Sequence, residues 1–155
     1  MKTIKNSKEL AKLVDKNKDL HLEGQDVRIE FQFTKEELRD VYCNDLFLMN
    51  DDERFDFNGN NFNGRDFNGR DFNGWNFNGW NFNGRNFNGK KVSYWAFFNC
   101  YGSIKCESIE GGRENHAEPI CLDGNIEIIK EEPEDNVALE AIRLLEEKGY
   151  RIVKN

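Results

Sequence analysis

The sequence predicts a mainly β solenoid, a chain wound into short stacked coils and closed by helices near its ends. Three observations point there. Phe57, Phe62, Phe67, Phe72, Phe77, Phe82 and Phe87 recur at every fifth residue. Asn-Gly follows each of them, and Asp or Asn precedes each (Asp56, Asn61, Asp66, Asp71, Asn76, Asn81, Asn86). Five is the period of neither a helix nor an ordinary strand. Asn-Gly often marks a hairpin turn, but a run of such hairpins would leave strands of about three residues, too short to pair stably. A solenoid avoids this if each unit is one short side and one corner, with Gly supplying the corner dihedrals. Four sides would close a coil of about twenty residues, and stacked coils then satisfy each other's backbone groups.

The elements follow in chain order. Residues 1–53 are expected to hold a helix, a first rung and a capping helix. Asn6 or Ser7 caps a helix with Leu10, Leu13 and Val14 on one side. Leu22 to Val27 copies the repeat grammar, with Asp before and Gly after the inward residue, and reads as an early rung. Thr34 with Glu37 forms a capping box and predicts a second helix there.

Residues 54–99 are the repeat proper. A coil of about twenty residues puts Phe57 under Phe77, Phe62 under Phe82, Phe67 under Phe87, Phe72 under Val92 and Phe77 under Phe97. The position two before each Phe holds Asn60, Arg65, Arg70, Trp75, Trp80, Arg85 and Lys90. These side chains cannot all enter a core already filled by Phe, so they are expected to point outward at the corners. The same coil pairs Arg65 with Arg85, Arg70 with Lys90, Asn60 with Trp80 and Trp75 with Trp95.

Residues 100–155 supply further strands, Ile104 to Ile109 and "PICLDGNIEII" with an Asp123-Gly124 turn. A helix from about Asp135 follows, with Val137, Ala138, Ile142 and Leu145 on one face. Gly149 stops it before a short strand, Tyr150 to Val153. The three segments are read as one structural domain.

The Asp/Asn-Phe-Asn-Gly grammar of residues 55–91 resembles the pentapeptide repeat family. That resemblance implies a right-handed quadrilateral β-helix with the Phe inward and stacked on the one a coil away. Large residues at the normally small position, such as Arg65 and Trp75, depart from the family motif. Taken whole, the chain is also similar to small pentapeptide-repeat proteins carried by phages and prophages of low-GC Gram-positive bacteria.

Charge and chemistry narrow the function. The net charge is -7. Residues 1–53 carry nine Lys/Arg against thirteen Asp/Glu, residues 54–91 six against three, and residues 92–155 seven against thirteen. The repeat is mildly basic and both flanks are acidic. No apolar run is long enough to span a membrane, and "MKTIKNSKEL" has no apolar core like that of a signal peptide, so a cytoplasmic protein is expected, and the phage likeness implies a bacterial host. The four cysteines, Cys43, Cys100, Cys106 and Cys121, match no recognised disulfide framework. Cys100, Cys106, His116 and Cys121 lack the short Cys-x-x-Cys knuckle of a strong zinc site and read as core residues. No phosphate-binding loop and no catalytic constellation stands out, so the expectation is a protein that is no enzyme and needs no cofactor or metal.

A binding protein remains. The family resemblance implies one that inhibits or protects an enzyme handling nucleic acid, since some members imitate B-DNA and occupy the DNA groove of gyrase. The phage likeness extends the target to a host defence nuclease, including a CRISPR effector. Mimicry of phosphates would fall to the acidic flanks, Asp51, Asp52 and Glu53 before the repeat and Glu131, Glu132, Glu134 and Asp135 after it. A second class is a structural protein, or a homodimer, acting through Trp75, Trp80 and Trp95 beside Arg. A third is direct nucleic-acid binding through Arg65, Arg70, Arg85, Lys90 and the Trp residues, against which the overall acidity counts.

Overall fold

The structure, a computed structural model, describes residues 1–130 and 136–154. It is a β-solenoid of about six turns. Each turn has three faces and not four. In the repeat Phe62 pairs with Phe77, Phe67 with Phe82 and Phe72 with Phe87, in each case fifteen residues on. The twenty-residue, four-sided coil is therefore corrected, and with it the stacks it implied. Phe77 lies between Phe62 and Val92, and Phe72 lies between Phe57 and Phe87.

All strand pairs are parallel, as a coil that always advances one way requires. The first face stacks Leu20–His21, Val41–Tyr42, Asn61–Asn63, the first halves of Asn76–Gly84 and Lys91–Cys100, and Ser108–Gly111. The second stacks Lys2–Ile4, Val27–Ile29, Leu46–Leu48, Asp66–Asn68, the second halves of those two long strands, and Ile120–Cys121. The third runs from Asp71–Asn73 through Asn86–Asn88, Ile104–Cys106 and Ile126–Lys130 to Arg151–Lys154.

Three columns of rings fill the triangular interior. Phe57, Phe72 and Phe87 stack nearly parallel, with centroids 4.8 and 4.6 Å apart. Phe67, Phe82 and Phe98 stack at 5.0 and 4.6 Å, and Phe62 and Phe77 at 5.4 Å. Between columns the rings meet edge to face, as in Phe62–Phe67 at 5.7 Å and Phe67–Phe72 at 5.8 Å. Both arrangements suit the aromatic quadrupole. Leu, Ile and Val continue the columns in the flanking turns.

Two backbone devices hold the corners. The amides of Trp75, Trp80 and Arg85 donate to the carbonyls of Asn60, Arg65 and Arg70 one turn below, at 2.6 to 2.7 Å. The Asp or Asn before each Phe also has a task. Asp56 Oδ1 accepts from the Asp71 amide at 3.1 Å, Asn61 Oδ1 from Asn76 at 3.2 Å, and Asn81 Oδ1 from Phe97 at 3.0 Å. This ladder explains why only a short side chain with an acceptor oxygen stands there. The repeat glycines correct a second expectation. The described residues hold only two glycines with positive φ, Gly24 and Gly149, so unusual dihedrals are not the reason for the repeat Gly. Space is. A Cβ on Gly84 would lie 2.8 Å from the Arg70 carbonyl and 2.9 Å from the Phe82 ring.

Helix α1, Ser7–Ala11, forms with Asn6 as N-cap accepting from the Glu9 amide and Leu10 buried, but it ends before Leu13 and Val14, which were expected on the same side of it. Half of the capping box at Thr34 forms: the Thr34 amide donates to Glu37 Oε2 at 2.8 Å, while the Glu37 amide bonds to the Thr34 carbonyl and not to its hydroxyl. No second helix follows it, because Val41 is drafted into the first face between Leu20 and Phe62. The segment is a single turn. Helix α2, Asn136–Glu147, links two adjacent third-face strands, Ile126–Lys130 and Arg151–Lys154. Its Ile142 and Leu145 are half-buried. Val137 and Ala138 are outside the side chains described. No helix among the described residues is long and apolar enough to cross a membrane.

Candidate protein-binding face

The corner side chains point outward, and the fifteen-residue turn reassigns their neighbours. Arg70 lies below Arg85, Arg65 below Trp80, and Trp75 between Asn60 and Lys90. The expected pairs Arg65–Arg85, Arg70–Lys90, Asn60–Trp80 and Trp75–Trp95 do not form.

The arginines are not free cations. Arg65 grips Asp45 with two bonds, Nε at 2.8 Å and Nη2 at 2.9 Å. Arg70 holds Asp56 at 2.7 and 3.1 Å, and Arg85 holds Asp71 at 2.9 and 2.7 Å. Each reaches back to the turn below, so the potential like-charge stack becomes a chain of bidentate pairs. The Arg70 guanidinium, with the Asp71 amide, keeps the Asp56 carboxyl below its ordinary range. A depressed pKa contributes stability that is complete above the unfolded value and is lost as pH falls through the folded value. The acid limb of a stability-versus-pH curve, measured by urea midpoints from pH 6 to pH 2, is therefore expected to be shallower in Asp56→Asn. An unchanged limb would show that the pair does not couple to folding.

Trp75 is flanked by two ammonium groups, Lys35 at 5.0 Å and Lys90 at 5.1 Å from its ring centre. Trp80 is 51% exposed, with Arg65 at 5.9 Å. A bulge between Tyr94 and Phe97 places Trp95 and Ala96 opposite Trp80. The bulge also flips the residues after it. Phe98 stacks inside on Phe82, while Phe97 faces out at 51% exposure, although the period pointed it inward. Beside it on the second face, Asn99 pairs with Ile120, and Leu122, 65% exposed, follows.

Trp80, Trp95, Phe97, Tyr101, Ile120 and Leu122 thus gather on the second face and its two corners, at the C-terminal half of the solenoid. A cavity of about 210 Å³ lies among Tyr101, Ile120 and Leu122, with Asn83, Asn99 and Cys100. The outward residues between them are Asn81, Asn83 and Asn99, so the centre of the patch is uncharged; charge stands at its rim, where Arg65 lies 5.9 Å from the Trp80 ring and Arg54, Arg70 and Arg85 share a cavity with Tyr101. Aromatic residues with charge excluded mark the centre of an interface. Trp80 and Trp95 were readable as outward from the repeat. Phe97, Tyr101, Ile120 and Leu122 were not.

Asp51 binds Arg28 at 3.0 Å, and Asp52 and Glu53 are exposed, their amides donating to Asn50 Oδ1. Glu131, Glu132, Glu134 and Asp135 lie outside the described residues. Cys43, Cys100 and Cys106 are buried, and burial pushes the Cys43 thiol up to about 12 and the Cys100 thiol up as well. They fill narrow turns. His116 packs edge-on against Tyr94 at 5.5 Å. Among the described residues the one trio close enough to share an ion is Asp15, Asp19 and His21, at the start of the first-face strand Leu20–His21, with Asp19 half-buried.

No protein-family model, no curated protein and no solved structure matches the chain. The class rests on the fold itself, and β-solenoids are typical of repeat proteins that do not catalyse.

Proposed function

We propose that this chain is a non-enzymatic binding protein that grips a protein partner through the Trp80–Leu122 face, and that the partner is an enzyme handling nucleic acid. The observation that carries the binding mode is the exposed aromatic patch with an uncharged centre on the solenoid. A preorganised sheet loses little entropy on binding, and exposed Trp and Tyr supply the area. The partner class rests on the repeat grammar and its resemblance to pentapeptide repeat proteins, with a topoisomerase or a host defence nuclease as the candidates.

Mimicry of DNA along the coil is not favoured. A three-sided turn departs from the four-sided coil on which that likeness rests. The repeat carboxylates Asp56 and Asp71 are engaged by Arg70 and Arg85. Any acidic contact with a basic channel falls to the exposed flanks, where it speeds the encounter more than it holds the complex. Direct nucleic-acid binding is weakened by the same pairing, because Arg65, Arg70 and Arg85 are already neutralised. Self-association through the same face is the second reading, since exposed aromatic side chains around an uncharged centre can also pack against their copy.

The test is capture of partners from a host lysate by the wild-type chain and by Trp80→Ala/Trp95→Ala. The double variant is expected to keep the wild-type circular dichroism and melting temperature, because both side chains point outward. It is expected to lose its partner by tenfold or more, since truncating a buried interface Trp typically costs about 2 kcal/mol. Sedimentation of the wild type separates a heterologous partner from a dimer. Capture that survives the double variant but is abolished by salt, or by reversing the acidic flanks to Lys, would move the working surface to those flanks.

A further inference from the structure

We infer that the first face is a second binding site, a groove for a neutral, hydroxyl-rich ligand such as a short oligosaccharide. Its position is set by register. One outward column runs Tyr42, Asn63, Asn78, Ser93, Glu110, and beside it runs Asn61, Asn76, Lys91, Ser108. Together they line a cleft of about 530 Å³, a volume typical of small-molecule sites. Four rung spacings separate Tyr42 from Glu110, about 19 Å at the usual distance between strands.

Apart from Asn61, which bonds to Asp40 and to the Asn76 amide, most side chains in this cleft are not spent on the fold. On the third face the matching outward positions bond to each other, Asn73 to Asn58 at 3.2 Å and Lys105 and Arg151 to Glu127. On the second face they sit among Phe97 and Ile120. On the first face Asn63, Asn78, Ser93 and Ser108 have no side-chain partner among the described residues, and neither do Lys91 and Glu110. Amides and hydroxyls both donate and accept, which matches a ligand whose every group is a hydroxyl. Lys91 and Glu110 supply one charge of each sign, so the cleft favours neither a polyphosphate nor a polyamine. At one end the Tyr42 ring is held flat by stacking on His21, with centroids 4.8 Å apart and planes within 8°. It gives an aromatic platform of fixed orientation for the face of a sugar ring.

Neutral hexasaccharides provide the probe. Cellohexaose, maltohexaose and chitohexaose are titrated separately into the ¹⁵N-labelled full chain and followed by NMR. The expected result is saturable shifts of the Asn63 and Asn78 side-chain amides with at least one of the three. Asn63→Ala/Asn78→Ala is expected to weaken that binding tenfold or more. Ser93→Arg, which fills the cleft from an exposed position, is expected to block it and stands in if the double variant fails to fold. Trp80→Ala/Trp95→Ala is expected to bind the sugar as the wild type does, which separates this site from the protein-binding face. Saturable shifts from none of the three sugars, shifts that survive Ser93→Arg, or tighter binding of a hexathymidylate strand in the same cleft would each overturn the inference.

Discussion

Phe77→Ala is expected to lower the stability of the chain by about 3–5 kcal/mol, the usual cost of emptying a buried Phe site. The ring is 1% exposed. It stacks on Phe62 at 5.4 Å and meets Phe82 and Phe98 edge-on at 5.6 and 5.5 Å, with Val92 on the next rung. The site cannot collapse to heal the void, because each neighbouring ring is fixed by its own column and by rungs spaced at the hydrogen-bonding distance between strands. A small domain holds only about 5–15 kcal/mol in total, so the variant is expected to be largely unfolded at a temperature where the wild type is folded. Urea unfolding followed by circular dichroism measures the difference. A variant that melts within a few degrees of wild type would mean that the Phe columns do not carry the fold. Because solenoid turns touch only their neighbours, the loss should also split the molecule at this turn and expose both halves together.

The period of five made the repeating unit legible, but not the number of units per turn. A side and a corner of five residues fit a coil with three sides as well as four. The rings decide between them. Phe57 and Phe67 are 6.1 Å apart and Phe67 and Phe77 6.5 Å, so three rings already meet across the axis. A four-sided turn of equal sides would enclose a wider interior that these rings would fill less densely. The outward corners were legible because Arg and Trp cannot share that interior. Their partners were not, since partner identity depends on the turn length. Phe97 and Phe98 show another limit. Two adjacent Phe residues suit either parity, and a single bulge reverses which faces in. That one extra residue puts Phe97 outside with Trp95, and only the register brings Ile120 and Leu122, more than twenty residues on, to the same face. The capping box at Thr34 is a third case. The Glu37 side chain bonds to the Thr34 amide as the motif dictates, but the return bond is absent and two neighbouring rungs claimed Val41 for a strand.

Gly64→Ala is the second large effect expected, and it tests why the corners are glycine. A methyl group at this position would lie 2.5 Å from the Cys43 carbonyl oxygen, 2.7 Å from that of Asn44 and 2.8 Å from the Phe62 ring. Two of these three obstacles are backbone of the turn below, and neither can turn aside like a flexible side chain. Relief requires the two turns to separate, which lengthens the hydrogen bonds between them, the Cys43 amide to the Asn63 carbonyl and the Arg65 amide to the Asn44 carbonyl. Overpacking of this kind costs about 1–3 kcal/mol, and the rigidity of the obstacle places it at the upper end. Gly24 is the control. It has φ of +80° and nothing within 4 Å of the place a methyl group would take, so Gly24→Ala meets only the backbone penalty of a left-handed conformation, about 1–2 kcal/mol. The two substitutions separate further with a larger side chain. At Gly24 Asn is tolerated in that conformation and should recover most of the loss. At Gly64 Asn is bulkier than Ala and should deepen it. If Gly64→Asn is no worse than Gly64→Ala, the corner has room, and the spacing of the turns rests on something other than the absence of a side chain there.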